Sequence, residues 1–266
     1  MAVFGVLTKL ATQTTDPIWV SFITYLTGAV ITTFLIAPQG LSGLKSQQYS
    51  YLFARAIIGT IASFLYMLSM HYIPIVNSTL LFNTAPVFIP ILSVIWLKHF
   101  IRTSIWLAVV VGFIGILFII KPSIATLKDP GNIIGLMSVI ALAIAYLLMK
   151  ILTANNSGLR IIFYYLSIGT LMQLPLLWFA DNTFTMQTLF IASLCGVALL
   201  IAQLSLVKAY TYASASEVGV YQYSSVVFVG IIEWLLWSVM PDFSSIIGFV
   251  LVTLAGVVII HSGSRQ

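Results

Sequence analysis

The fold of this chain is decided by residues 105–120, which read IWLAVVVGFIGILFII. The stretch contains no charged residue, and its apolar side chains do not alternate with polar ones as they would in a strand of a membrane β-barrel. A helix of about 20 apolar residues crosses a hydrocarbon core of about 30 Å. The stretch therefore predicts a membrane-spanning helix.

The same character extends over the whole chain, in which 61% of 266 residues are hydrophobic and 6% are charged. A soluble domain carries about 25% charged residues. Breaks at Pro, Gly, Asn and charged residues leave ten apolar segments, at 1–14, 18–37, 48–70, 75–97, 104–121, 131–152, 160–180, 187–208, 214–239 and 244–261. We predict an all-α polytopic membrane protein with ten transmembrane helices. Because the first segment is short, we favour a chain that begins partway into helix one.

The few charges are sorted along the chain in a way that predicts its orientation. With the N-terminus inside, the inner ends and loops hold Lys45, Lys98, Arg102, Lys150, Arg160, Lys208 and Arg265, and the outer ones hold Lys9, Lys121 and Lys128. Short cytoplasmic loops carry the excess of Lys and Arg. We therefore expect both termini in the cytoplasm and the chain in the cytoplasmic (inner) membrane. This bias also accounts for the net charge of +5, so no nucleic-acid partner is predicted.

The two halves of the chain resemble each other weakly but in order. Tyr72–Pro74 aligns with Tyr212–Ser214, at a spacing of 140 residues. Five helices per half is an odd number, so the second half would enter the membrane from the opposite face. We predict a 5+5 inverted repeat, with a first repeat at 1–125 and a second at 126–266. Many transporters build two related gates around a midplane site in this way.

Two groups of motifs point to a family. The first comprises LFAR at 52–55, MHYIP at 70–74, NTAP at 83–86 and GFIG at 112–115; the second comprises AYTYASA at 209–215, GIIEW at 230–234, Gly248 and Gly256. Together they resemble the drug/metabolite transporter superfamily, in its EamA group, over essentially the whole chain. The resemblance implies alternating access through a central cavity, lined mainly by helices three, four, eight and nine. The family's acidic residue at the end of helix four is absent here, where the chain reads WLKH at 96–99, so no coupling role is assigned there.

Polar residues inside a spanning helix face protein or a water-filled cavity. Helix four places Thr79, Asn83, Pro86 and Pro90 on one face, at three- and four-residue steps. The two prolines predict a kink, because each removes a backbone donor. At the 140-residue spacing Asn83 corresponds to Tyr223. Close helix packing is the alternative role for this face.

Further candidates for the cavity are polar or aromatic residues deep in predicted helices: Tyr66, Tyr146, Gln203, Tyr210, Tyr221 and Glu233. Glu233 is the one acid deep in a span; it can carry a proton, attract a cationic group or pair with a base, unless it reaches the outer interface. Arg55, inside helix three, is expected to extend to the cytoplasmic interface rather than to contact substrate. The single cysteine, Cys195, is interpreted as a small buried hydrophobe.

These observations favour a secondary transporter that moves small organic metabolites or drugs, including amino-acid-like and nucleoside-like solutes, by alternating access. We expect an exporter; an uptake carrier or exchanger of the same fold remains open, as do protons as the coupling ion and a monomer or homodimer. A channel would need a selectivity filter, and an enzyme would need a nucleophile with its base or clustered ligands. Neither pattern is found, so we predict no enzyme activity, cofactor or metal.

Overall fold

The computed structural model describes residues 2–12, 15–73, 75–98, 100–121, 129–181, 185–237 and 242–263. Within these ranges the ordered elements are α-helices and two short 3₁₀ turns, Ala37–Gln39 and Leu174–Phe179. The helices are α1 (Ala2–Thr12), α2 (Pro17–Ile36), α3 (Gly40–Leu44), α4 (Tyr49–Tyr72), α5 (Ile75–Phe82), α6 (Ala85–Leu97), α7 (Thr103–Ile120), α8 (Pro130–Leu152), α9 (Gly158–Gln173), α10 (Met186–Tyr212), α11 (Ala215–Gln222), α12 (Ser224–Trp237) and α13 (Phe243–Gly263).

The predicted fold class, an all-α polytopic membrane protein, is confirmed. In the described ranges, 8 spans are long and apolar enough to cross a bilayer, and two shorter apolar helices cover Ala2–Thr12 and Phe243–Ile259. Every ordered segment is helical because a lipid core offers no other hydrogen-bond partner to the peptide groups. The number ten and the inverted repeat stay predictions.

Helix ends follow local sequence signals. Asp16 caps α2, since its Oδ1 accepts a hydrogen bond from the Ile18 backbone N–H at 2.7 Å, and Pro17 occupies the first turn. Ser214 and Glu217 form a reciprocal capping box at the start of α11. At C-terminal ends, α6 and α7 are terminated by Lys98 and Lys121, which adopt the left-handed conformation with φ values of 50° and 49°. These signals fix where each span stops.

The chain forms two compact units. The first unit comprises Met1–Thr60 and Leu148–Tyr212, and in it α2 packs against α9 and α10, while α1 packs against α10. Small residues allow these approaches: a Cβ on Gly28 would lie 2.8 Å from Leu166 Cδ1, and one on Gly196 would lie 2.8 Å from the Thr24 carbonyl oxygen.

The two ends of the first unit are each joined by hydrogen bonds. At one end Asn156 accepts from Ser46 Oγ at 2.7 Å and donates to Gln48 Oε1 at 2.9 Å. At the other end Asp16 Oδ2 accepts from the Asp181 backbone N–H at 3.0 Å, and the hydroxyls of Thr15 and Thr188 are paired. These bonds connect segments that are more than 100 residues apart in sequence.

The second unit comprises Ile61–Leu147 and Ala213–Gln266. Its main contact is between α7 and α13, which pack along their lengths. Here the backbones themselves meet, because a Cβ on Gly248 would lie 2.5 Å from the Gly115 carbonyl oxygen. At one end of this pair Lys121 donates to the Asp242 carboxylate. This hydrogen bond, followed by two from Ser245, lowers the pKa of Asp242 to about 2.

Neither unit coincides with a predicted sequence half. Each contains helices from both 1–125 and 126–266, and the unit boundaries fall inside α4, inside α8 and after α10. Compactness does not test whether the halves are related, so the division into repeats stays a prediction.

Replacing Gly248 by alanine should destabilise the protein, because the added methyl group would meet the backbone of α7, which cannot move aside as a side chain can. We expect a cost of about 1–3 kcal/mol, measured as a drop of several degrees in melting temperature in detergent. Gly256→Ala is the matched control on the same helix, since its Cβ would find its nearest neighbour, Tyr221 Cε1, at 3.8 Å. Equal melting temperatures for the two variants would contradict the α7–α13 contact.

Candidate functional site

The fourth predicted span is interrupted at Asn83 and Thr84, where α5 ends and α6 begins. Pro86 follows within the first turn of α6, and Pro90 lies inside α6. Because Pro86 has no N–H, the Phe82 carbonyl loses its helical partner, which allows the chain to turn at this point. Side chains add to the backbone hydrogen bonds at this turn: Asn83 Nδ2 donates to the Thr79 carbonyl at 2.9 Å, and Thr84 Oγ1 donates to the Leu81 carbonyl at 2.6 Å.

The ninth predicted span is interrupted in the same way at Tyr223, between α11 and α12. The Tyr223 N–H bonds to the Val220 carbonyl at 3.1 Å, a tighter turn than the α-helical one. No proline causes this break. Positions 83 and 223 are 140 residues apart, which is the spacing at which the two halves of the sequence align.

The two interrupted helices pack on each other within the second unit. A Cβ on Gly219 of α11 would lie 3.2 Å from Ile89 Cδ1 and 3.6 Å from Pro86 Cα, so α11 runs against α6 just beyond the break. The Tyr223 ring lies against Gly112 of α7, where a Cβ would be 2.5 Å from the ring. Tyr223 is fully buried, and its hydroxyl has no hydrogen-bond partner among the described residues.

Three predicted site residues are brought together beside the first break. Tyr66 of α4 shares a hydrogen bond with Thr79 at 3.1 Å between hydroxyl oxygens, and its ring lies 4.4 Å, centroid to centroid, from the ring of Phe82. Thr79 in turn carries the carbonyl to which Asn83 donates. Tyr66, Thr79 and Asn83 therefore form one polar and aromatic cluster at the point where the backbone is irregular.

The remaining candidates are distributed more widely. Tyr146 is buried in α8 of the second unit, whereas Tyr221 is 40% exposed on α11. Gln203 and Tyr210 lie in α10 and belong to the first unit; both are buried, and the Gln203 side-chain oxygen has no hydrogen-bond partner in the described part of the chain. The backbone of Glu233 lies in α12, but its side chain is outside what the structure describes.

One residue contradicts the sequence-based expectation. Arg55 does not extend to an interface: its side chain is only 2% exposed, inside the first unit. The guanidinium carbon lies 4.4 Å from the centroid of the Tyr165 ring, and the Tyr165 hydroxyl is 2.6 Å from that of Tyr25. Sequence reasoning missed this cluster, although Tyr25 and Tyr165 are themselves separated by 140 residues.

The family model of the EamA-like transporter family matches residues 1–121 and 129–261. The chain belongs to this family. The predicted resemblance to the drug/metabolite transporter superfamily is thereby confirmed.

Named relatives of this EamA-like protein are transporters. It is 28% identical over 258 residues to the pseudopaline exporter CntI of Pseudomonas aeruginosa, covering 96% of this chain and 89% of that protein. It is 23% identical to an S-adenosylmethionine uptake transporter of Rickettsia prowazekii, covering 93% of this chain and 84% of that protein. It is 27% identical to a riboflavin transporter of Vibrio cholerae, covering 89% of this chain and 80% of that protein.

The crystal structure of another protein shares the fold, with a TM-score of 0.83 and 14% sequence identity. The match covers 99% of this chain and 96% of that one. Family and relatives together establish this EamA-like protein as a multi-pass membrane transporter of small molecules, and not an enzyme.

Substituting Tyr223 by phenylalanine should separate stability from activity. A buried hydroxyl without a partner costs about 1–3 kcal/mol, so Tyr223→Phe should keep or raise the melting temperature while reducing solute flux in proteoliposomes. Tyr221→Phe, two residues earlier at the end of α11 but 40% exposed, is the control and should change neither quantity. A Tyr223→Phe protein that transports normally would assign this hydroxyl no role in transport.

Proposed function

We propose that this protein is a secondary transporter that exports small organic metabolites or drugs, including amino-acid-like or nucleoside-like solutes, by alternating access. An uptake carrier or a metabolite exchanger on the same fold is the alternative. The exporter among the named relatives is 28% identical over 96% of the chain, and the Rickettsia uptake transporter is 23% identical over 93%. The higher identity and coverage of the exporter favour export.

The observation that carries the proposal is the pair of interrupted helices. Transporters form substrate sites with discontinuous spans in corresponding positions of their two halves, because unwound backbone supplies free polar groups at membrane depth. Here the interruptions at Asn83 and Tyr223 are 140 residues apart, and α6, which follows the first one, packs against α11, which precedes the second. The cluster of Tyr66, Thr79 and Asn83 offers hydroxyl, amide and aromatic groups, which suit an organic solute better than a bare ion.

Two contacts support an inverted repeat with halves at 1–125 and 126–266. Across a two-fold relation, a residue on the axis meets its own counterpart. Tyr25 and Tyr165, separated by 140 residues, meet hydroxyl to hydroxyl. The helices that contain them, α2 and α9, correspond to each other in the two halves, as do α7 and α13, and each pair packs together. The family match also falls into two stretches, 1–121 and 129–261.

We further propose that the protein lies in the cytoplasmic membrane with both termini in the cytoplasm, and that Glu233 carries a coupling proton. The first part is supported by the seven basic residues assigned inside against three outside. The second is supported by the position of Glu233 in α12, sixteen residues after the preceding acid, Glu217, and nine before the next one, Asp242. A carboxylate within a span marks an ion or substrate pathway by default.

Counterflow in proteoliposomes tests the transport proposal. Vesicles containing the purified protein are loaded with one unlabelled amino acid or nucleoside at a time and diluted into a trace of the same labelled solute. A carrier produces a transient overshoot of label above equilibrium, since internal solute drives exchange; a channel produces none. Protein-free vesicles are the control. Absence of any overshoot across both solute classes would overturn the proposal.

Coupling of solute flux to protons is measured in the same vesicles by imposing a pH gradient. Wild-type flux should respond to the gradient, whereas flux through Glu233→Gln should be the same from about pH 5.5 to about pH 8, because the amide cannot titrate. A variant that retains the wild-type pH response would remove Glu233 from the coupling step.

Cysteine labelling tests the orientation. The one cysteine, Cys195, is buried, so Cys195→Ala provides a background for single exposed cysteines. In intact cells a membrane-impermeant maleimide should label Gln187→Cys at the start of α10 but not Asn155→Cys in the link between α8 and α9. Permeabilised cells should show both. Labelling of Asn155→Cys alone in intact cells would reverse the topology.

A further inference from the structure

Arg55 is the largest buried side chain with unmet polar groups in the described part of the chain. It is 2% exposed, and both Nε and Nη1 are buried without a hydrogen-bond partner among the described residues. These two atoms carry most of the N–H donors of a guanidinium. An arginine cannot lose its charge in a protein, so the cation persists where it is buried.

The surroundings orient this cation but do not neutralise it. The face of the Tyr165 ring, 4.4 Å from Cζ, attracts it, and the Tyr25 hydroxyl holds the Tyr165 ring in place through the 2.6 Å contact between their oxygens. Gly59, one turn along α4, leaves the space that Nη1 occupies; a side chain there would collide with it. A ring face compensates only part of the cost of burying a charge when no anion is present.

The carboxylates of the same unit are engaged elsewhere. Asp16 caps α2 and accepts from the backbone N–H of Asp181, and at helical rise it lies about 13 Å along α2 from Tyr25. Asp181 is exposed at that same end. Arg55 therefore has no ion-pair partner among the described carboxylates of its unit.

Other cations of this unit show the contrast. Arg160 donates to the Gly43 carbonyl at 2.7 Å, to the Ser42 carbonyl at 3.2 Å and to Asn156. Lys150 donates to the Tyr210 carbonyl at 2.7 Å. Protein oxygens thus satisfy Arg160 and Lys150, whereas the deeply buried Arg55 is left with free donors.

We propose that Arg55 binds the carboxylate of the transported solute, with Tyr165 holding the guanidinium in position. This inference rests on the proposed transport function and assigns it a substrate class: organic monoanions, or zwitterions that present a carboxylate. One negative charge on the solute balances the one positive charge of Arg55, so the complex is neutral in a medium of low dielectric constant. A doubly charged phosphate would remain uncompensated there.

The test uses purified full-length protein and three probes at equal ionic strength: benzoate, benzamide and inorganic phosphate. Benzoate should raise the melting temperature of the wild type by about 3 °C at saturating concentration. Benzamide, which has the same shape and no charge, should not, and phosphate should have less effect than benzoate. A wild-type melting temperature that is indifferent to benzoate, or that rises as much with benzamide or phosphate, would overturn the assignment.

Two matched substitutions distinguish a binding cation from a structural one. Arg55→Met should abolish the benzoate response and keep or raise the melting temperature of the ligand-free protein, because it removes an unbalanced buried charge. Arg160→Met should lower that melting temperature, because it removes three hydrogen bonds, and should keep the benzoate response. Loss of stability in Arg55→Met together with a retained benzoate response in the same variant would show that the residue is structural.

Transport provides the second readout and separates this inference from the proposed function. In counterflow with the wild type, an amino acid should compete at least 10-fold more strongly than its amide, since a charge-assisted hydrogen bond is lost in the amide. If counterflow is present but acid and amide compete equally, the carboxylate site fails and the transporter remains. If no solute gives counterflow while benzoate still binds through Arg55, the transport proposal fails instead.

Discussion

Peptide groups in a hydrocarbon core find hydrogen-bond partners only within their own helix, and this constraint governs the whole chain. It explains why the described residues are ordered as helices with short links, and why capping by Asp16 or by Ser214 with Glu217 occurs at helix ends. It also gives meaning to the exceptions. Where a span is broken, at Asn83 or at Tyr223, the unpaired backbone must be met by side chains, by water or by a solute. A break within a span therefore costs free energy, and it also leaves polar backbone groups available to bind a solute.

Association of the helices depends on a second consequence of the same medium. Since lipid is as apolar as leucine, burying apolar side chains gives little drive, and close backbone approach replaces it. Gly115 and Gly248 let α7 and α13 meet backbone to backbone, and Gly28 and Gly196 let α2 approach its two neighbours. These contacts hold each unit together around its polar residues. The candidate sites are thus positioned by residues that themselves have no functional group.

The extent of the helices was predictable from the sequence, because long apolar runs and their polar breaks are local signals. The predicted segments at 18–37 and 104–121 differ by one residue at each end from α2 and α7. The break beside Pro86 had a visible cause in the missing N–H. The break at Tyr223 had none, since no proline marks it, and it was not predicted.

Arg55 shows why the site was harder to predict than the fold. Its burial depends on Tyr165, which is distant in sequence, and on the empty space at Gly59. On helices that are apolar all round, periodicity does not tell which face meets protein and which meets lipid. Single-residue rules for long basic side chains then favour the interface, and here the tertiary structure overrides them.

The pairing of Tyr25 with Tyr165 has a consequence for directionality. These two positions carry the same side chain, so the contact between them looks alike from either half of the sequence. At the same spacing, however, Arg55 corresponds to Cys195, a neutral and buried thiol. Two inverted halves of identical chemistry would present equal barriers toward the two sides of a membrane. In the proposed inverted repeat, the unmatched cation removes that equality and makes the two sides of the molecule chemically different.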